Sequence, residues 1–437
     1  MNAFLDISVI DGWLPVVVVV FGVTGAVALL ARRGRTWWLK VVPAITASTV
    51  VACVLVEWLL GSVLRLFPDA LPLTVVLWGG AGVWALGLAV ASQWRTPWWR
   101  RLAAVCGALL VLLTSVLGIN AYYGQYPTIR AVLGVDPVNE VAMAHLPAPV
   151  PEPVPPRPGR ALRDIWRPPP DLRRSGVLVK MPIPAVKAAF TPSRPAYIYL
   201  PPAYFAPNRP LLPVLMLLHG QPGAPADWVR GGQLSTMMDG YAATHHGIAP
   251  VVVMPDTTGG HFANPLCLDS RLGAAETYLA EDVPAWIRAN LQIDPAPRHW
   301  AVAGSSYGGT CALQLAVRRP QLFPSFVDIS GEDEPTLGSR RRTVDEAFGG
   351  DERKFAEINP IDVLGRVKLP GSAGILTVGE GDTAGMAQQR KVLEACRRNG
   401  LPVHLIKVGG AHNWFAWNAG MVRSLDWLGK RLGVTHG

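Results

Sequence analysis

Four long apolar runs fill the first 120 residues, and no other feature restricts the architecture of this chain as strongly. They lie at about 14–31, 41–61, 70–92 and 102–119, each near the ~20 residues that a helix needs to cross a bilayer. The breaks between them carry the charge. Arg32, Arg33, Arg35 and Lys40 occupy the first loop and Arg95, Arg100 and Arg101 the third, whereas the second holds only Arg65 and Asp69. Lys and Arg collect in cytoplasmic loops, so this asymmetry predicts that the N-terminus and everything beyond residue 120 face outside. Trp37, Trp38, Trp94, Trp98 and Trp99 sit beside the basic clusters, as interfacial belts do. A cleaved signal peptide is the weaker reading of the first run, because Asp6 and Asp11 precede it and no Lys or Arg does. Glu57 lies near the outer end of the second run, where reaching the interface beside Trp58 is the favoured reading and a functional intramembrane carboxylate the alternative.

The next segment, 121–175, reads as a proline-rich extracytoplasmic linker. Its centre is Pro147 to Pro170, PAPVPEPVPPRPGRALRDIWRPPP, and proline at this density favours extended polyproline II and resists packing. Residues 176–437 suffice for one large domain. Strand-like runs at Val177 to Lys180 and Ala196 to Leu200 precede an alternation of apolar strands with helical runs such as Glu276 to Leu291. That alternation predicts an α/β fold, a mainly parallel sheet with helices on both faces.

Within this domain, Gly304-Ser305-Ser306-Tyr307-Gly308 places a serine at the centre of G-x-S-x-G. Before it, His299 to Ala303 reads as a short buried strand, and after it Thr310 to Val317 as the start of an apolar helix. Strand, tight turn and helix form the nucleophile elbow, which exposes Ser306 Oγ and leaves the Tyr307 N–H to bind an oxyanion. A base and an orienting acid should follow in the order Asp/Glu, then His. The run Gly374 to Gly379 ends in Gly379-Glu380-Gly381-Asp382, so Asp382 is the preferred acid with Glu380 as its local alternative. Glu332 and Asp333, after the run Phe326 to Ser330, are more distant candidates. Three of the nine histidines lie beyond the candidate acid. His404 falls inside the strand Val403 to Val408 and His436 at the C-terminus, which leaves His412, in a glycine-hinged loop, as the base. The second oxyanion donor is the Gln221 N–H, because Pro213 to Leu218 is an apolar strand running into His219-Gly220-Gln221. No spacing of metal-ligand type links His219 with His245, His246 or His261, so neither metal nor cofactor is expected.

These segments together resemble the esterase family that includes S-formylglutathione hydrolases (esterase D), bacterial feruloyl esterases and the antigen 85 mycolyltransferases. The resemblance covers roughly residues 175–432. It rests on Leu218 to Gly223, the strand Pro250 to Pro255, the elbow, Phe348-Gly349-Gly350-Asp351 with Asn359-Pro360, and His412-Asn413-Trp414-Phe415-Ala416-Trp417, an H-x-W-x-x-W pattern. It implies an α/β-hydrolase domain whose triad is Ser306, His412 and a carboxylate after the penultimate strand. Antigen 85 enzymes use a glutamate there, which keeps Glu380 open beside Asp382, and they are secreted rather than built behind a membrane bundle.

Five cysteines at irregular spacing argue against a disulfide framework, although an extracytoplasmic site would permit one pair. Cys311 reads as a small buried apolar residue. The formal charge of +9 is spread thinly over the chain, which suits anionic lipid or envelope surfaces rather than nucleic acid. Arg340-Arg341-Arg342 reads as a solvated turn, with steering of an anionic head group as the alternative. The reading is a multi-pass cell-membrane protein with an extracytoplasmic serine esterase acting on an ester substrate, a lipid or an acylated envelope glycan. An acyltransferase that moves an acyl group to a sugar or lipid hydroxyl is the first alternative. A non-catalytic envelope scaffold is the second, and intact Ser306, Asp382 and His412 weigh against it.

Overall fold

The structure, a computed structural model, describes residues 2–32, 34–63, 71–94, 96–135, 147–192 and 194–436. Arg33, Arg65, Asp69 and Arg95 lie outside the described residues. The chain divides into two compact units, Met1–Val135 and Asp136–Gly437.

In the first unit, four helices among the described residues are long and apolar enough to cross a membrane: Trp13–Leu30, Trp37–Val63, Leu73–Ala91 and Trp98–Tyr123. Many of their large side chains point outward, and the buried cluster between them mixes alanines with Leu29, Leu88, Val111 and Trp37. Gly22, Gly25, Gly107, Ala85 and Ala108 are buried, so the backbones approach closely, as helices packed in lipid do. A Cβ on Gly25 would lie 2.6 Å from the Gly107 carbonyl oxygen. At the same crossing Thr114 Oγ1 donates to the Val18 carbonyl at 3.0 Å and to its own Leu110 carbonyl at 2.9 Å.

The second unit is an eight-stranded sheet, with a separate two-residue ladder. The strands are β1 Val177–Met181, β2 Ala196–Leu200, β3 Val214–Leu218, β4 Val251–Met254, the ladder pair β5 Asp269–Ser270 and β6 Gly273–Ala274, β7 Trp300–Ser305, β8 Ser325–Ile329, β9 Ala373–Gly379 and β10 Val403–Val408. Their order is β1-β2-β4-β3-β7-β8-β9-β10. Both pairings of β2 are antiparallel, and all pairs from β4 to β10 are parallel. The central strands β3 and β7 are buried along their whole length, which is why they read as continuous apolar runs rather than alternating ones. Edge strand β10 leaves His404 and Lys407 exposed. Strand β3 has its sequence neighbour β4 on one side and β7 on the other. The site-bearing loops therefore open where the strand order reverses, outside the carboxyl ends of the parallel strands.

Two expectations need correction. Residues 147–175 do not form a free spacer but pack into the second unit, while 136–146 lie outside the described residues. Leu162 and Trp166 are 2% and 1% exposed within the main core. Trp166 Nε1 donates to the Asn208 carbonyl at 2.7 Å, and Val154 exchanges backbone hydrogen bonds with Arg209 and Leu211. Proline keeps this segment extended, yet two large apolar side chains within it supply enough buried surface to hold it down. Cys311 is buried as expected but not free: it is disulfide-bonded to Cys267, 44 residues away, with their Cα atoms 5.6 Å apart.

Candidate active site

The four strand ends nominated in the sequence deliver their residues to the carboxyl end of the sheet. Strand β7 leads into Ser306, whose φ of 55° and ψ of −123° are sterically costly for a side chain bearing a Cβ. The turn survives because its flanks are glycine. A Cβ on Gly308 would run into the Leu218 and His219 carbonyls, and one on Gly304 into those of Gly308 and Leu218. The Ser306 N–H donates to the Ile329 carbonyl at 2.8 Å, tying the turn to β8.

His412 stands between the serine and a carboxylate. Its Nε2 is 2.8 Å from Ser306 Oγ and its Nδ1 2.7 Å from Asp382 Oδ2. The imidazole is held from several directions. The Gly381 N–H donates to the Gly410 carbonyl, and Asn413 caps the helix Trp414–Arg431 through the Ala416 N–H. The Trp417 ring packs against His412 edge-on, with centroids 5.3 Å apart. Trp417 touches Trp414, and Trp414 touches Trp228, whose Nε1 donates to the Leu218 carbonyl at the end of β3. The H-x-W-x-x-W pattern is thus an aromatic brace from the histidine to the strand on the far side of the serine.

Asp382 is the carboxylate brought to His412, and Glu380 is not. The Asp382 side chain is 5% exposed, whereas Glu380 faces solvent. Asp382 Oδ1 accepts the Gly385 N–H at 2.9 Å as the N-cap of the helix Thr383–Asn399, leaving Oδ2 for the imidazole. Burial alone would raise its pKa, but the hydrogen bonds with His412 and the Gly385 N–H hold it below the usual carboxylate value. Asp333 is paired with Lys391 at 2.8 Å, and the Glu332 N–H donates to Thr310 Oγ1.

Tyr307 and the loop that carries Gln221 both lie beside the serine. Tyr307 opens a twelve-residue helix, so its N–H has no partner within that helix. The loop after β3 passes against the elbow, where a Cβ on Gly220 would sit 3.6 Å from Ser306 Cβ. The Gln221 N–H follows in the next peptide. His219 is 1% exposed. Its Nε2 accepts the Thr257 N–H at 3.1 Å, which puts the proton on Nδ1, 2.7 Å from the Gly220 carbonyl oxygen. Sequence reasoning missed this role, for which the only signal was the His-Gly pair itself. Beside it, Asp256 is held by Arg194. The basic run at 340–342 is helical rather than a turn. It begins the helix Arg340–Phe348, where Arg340 pairs with Glu334, Glu352 and Asp362 and Arg342 with Glu346.

A serine hydroxyl hydrogen-bonded to an imidazole that is itself seated on a carboxylate is the constellation that nucleophilic acyl chemistry requires. The family match points the same way. The family model described as "Putative esterase" matches residues 188–428. An uncharacterized protein of Corynebacterium glutamicum is 34% identical over 448 residues, 99% of this chain and 100% of its own length. The diacylglycerol acyltransferase/mycolyltransferase Ag85C of Mycobacterium avium is 40% identical over 63 residues, 14% of this chain and 17% of that protein. Among solved structures, an S-formylglutathione hydrolase from Agrobacterium tumefaciens is 18% identical with a TM-score of 0.49, over 60% of this chain and 97% of that one.

Proposed function

The chain belongs to this esterase family, and from that premise we propose that it is a membrane-anchored serine esterase whose active site faces outside the cytoplasm. The observation that carries the chemical part is His412 bridging Ser306 Oγ and Asp382. In the first half-reaction Ser306 Oγ attacks the ester carbonyl while His412 Nε2 takes its proton, and the Tyr307 and Gln221 amides receive the tetrahedral oxyanion. Collapse breaks the ester bond, and His412 returns the proton to the leaving alcohol. Water, or another hydroxyl deprotonated by the same imidazole, then attacks the acyl-enzyme and frees the serine.

The location is supported by two independent features. Seven basic residues in the first and third loops face one in the second, which favours an outward hydrolase unit. That unit also holds the Cys267–Cys311 disulfide, a bond that persists in oxidising compartments and is rare in the cytosol. An active site tethered outside a bilayer suits lipid esters or acylated envelope glycans as substrates. Transfer of the acyl group to a sugar or lipid hydroxyl is the second reading, favoured by the segment shared with an acyltransferase.

A membrane-impermeant fluorophosphonate applied to intact cells tests both parts. Labelling of the wild type and none of Ser306→Ala is the expected result. Labelling only after lysis would reverse the orientation, and no labelling of folded protein after lysis would favour a non-catalytic scaffold.

A further inference from the structure

Both oxyanion donors trace back to one loop. We propose that the segment from Asp256 to Cys267, locked by the Cys267–Cys311 disulfide, is the positioning element that sets the Gln221 and Tyr307 amides relative to each other. This rests on the esterase reading of the site.

At the start of the loop, the Thr257 N–H fixes His219, and His219 Nδ1–H holds the Gly220 carbonyl at 2.7 Å. That carbonyl belongs to the same planar peptide as the Gln221 N–H, so holding one aims the other. In the middle of the loop, the Phe262 carbonyl accepts from Gln221 Nε2 at 3.1 Å and the His261 carbonyl from the Gly223 N–H at 3.2 Å. Its end is fastened to the elbow helix at three positions. Tyr307 Oη accepts the Cys267 N–H at 2.9 Å, Cys311 forms the disulfide, and Gln314 Nε2 donates to the Leu266 carbonyl at 3.0 Å. Residues 307, 311 and 314 share one helix face.

The fastened end would not hold its shape unaided. Leu266 and Cys267 have φ of 63° and 51°, a left-handed pair without glycine that persists only where surrounding contacts impose it. Tyr307 therefore has two ends with linked tasks: its amide faces the reacting oxygen, and its hydroxyl seats the cysteine that closes the loop.

The test uses the full-length protein in detergent and a short soluble ester. Removing the disulfide, by a phosphine reductant or in the Cys267→Ser/Cys311→Ser variant, should lower kcat at least tenfold with KM changed less than twofold. A complete loss of one oxyanion donor costs about 10²–10³ in kcat, which sets the upper range. Affinity for a trifluoromethyl ketone, whose adduct carries the oxyanion, should fall with kcat/KM. The pH profile of kcat/KM should keep its midpoint, because the base is untouched, and reoxidation should restore the reduced enzyme. Tyr307→Phe keeps the amide and loses the hydroxyl, so it should fall in the same direction, and it decides the matter if the cysteine variant does not fold. Unchanged kcat and ketone affinity, or a shifted pH midpoint, would overturn the proposal. A wild type inert towards fluorophosphonate would instead overturn the esterase reading beneath it.

Discussion

The two units of this protein use apolar side chains in opposite senses. In the first, Val16, Leu73 and Val90 are 63%, 72% and 73% exposed, while glycines and alanines share the interior with a few large residues such as Leu29 and Leu88. In the second, β3 and β7 bury every residue they contain. A hydrocarbon surround for the first unit, as proposed above, and water around the second would account for the difference. In lipid a leucine gains nothing by turning inward, so close backbone contact and a few polar hydrogen bonds drive helix association. In water the apolar surface itself drives burial. Chemistry follows the same division: the unit that excludes water from a core can hold an aspartate at 5% exposure beside a histidine, and the other offers no comparable cluster among its described residues.

The sharpest way to break this comparison is to remove chemistry from the second unit alone. Ser306→Ala and His412→Ala should each lower turnover of a short ester by on the order of 10⁶, while circular dichroism and melting stay near wild type. Near-normal turnover by either variant would end the assignment. Next comes the acid. Asp382→Asn should cost on the order of 10⁴, and Glu380→Gln little, as measured by kcat. The reverse ranking would hand the role to Glu380.

A smaller effect probes where the second unit begins. Trp166→Ala should destabilise it by about 3–5 kcal/mol, and chains starting at residue 147 and at residue 176 should differ in solubility, the shorter one having lost Leu162 and Trp166 from its core. Equal denaturation midpoints would restore the free spacer. The smallest concerns Asp328, buried on β8 beside the elbow. Burial raises its pKa to about 7, against the hydrogen bonds from Gln389 and the Gly331 N–H. Its neutral form is favoured by folding, so its contribution is full below the ordinary carboxylate pKa of about 4 and is lost as pH rises towards 7. Asp328→Asn, neutral throughout, should flatten the melting profile over that window by a few degrees. An unchanged slope would show that folding does not raise the Asp328 pKa.

Much of this was legible in sequence because it is local. A strand end, a glycine, a functional residue and the next helix recur within a dozen positions, and β2 and β10 fall where the apolar runs predict them. What escaped depends on distant partners. Proline density describes how residues 147–170 extend, but not that Leu162 finds the Gly433 carbonyl to bond its N–H. Spacing could not pair Cys267 with Cys311, because the loop and the elbow helix meet only once β3, β4 and β7 are adjacent. Glu380 and Asp382 differ by two positions, and the start of the following helix distinguishes them: only Asp382 is at its cap.

That shared carboxylate has a consequence for which acids the site accepts. One Asp382 oxygen closes the end of a helix and the other meets the imidazole, so the side chain is gauged at both ends. A glutamate would carry the group one methylene farther and could satisfy the helix or the histidine, but not both in the present backbone. Exchange of one acid for the other is therefore not a neutral drift in charge. It would need the loop to be rebuilt around a longer reach.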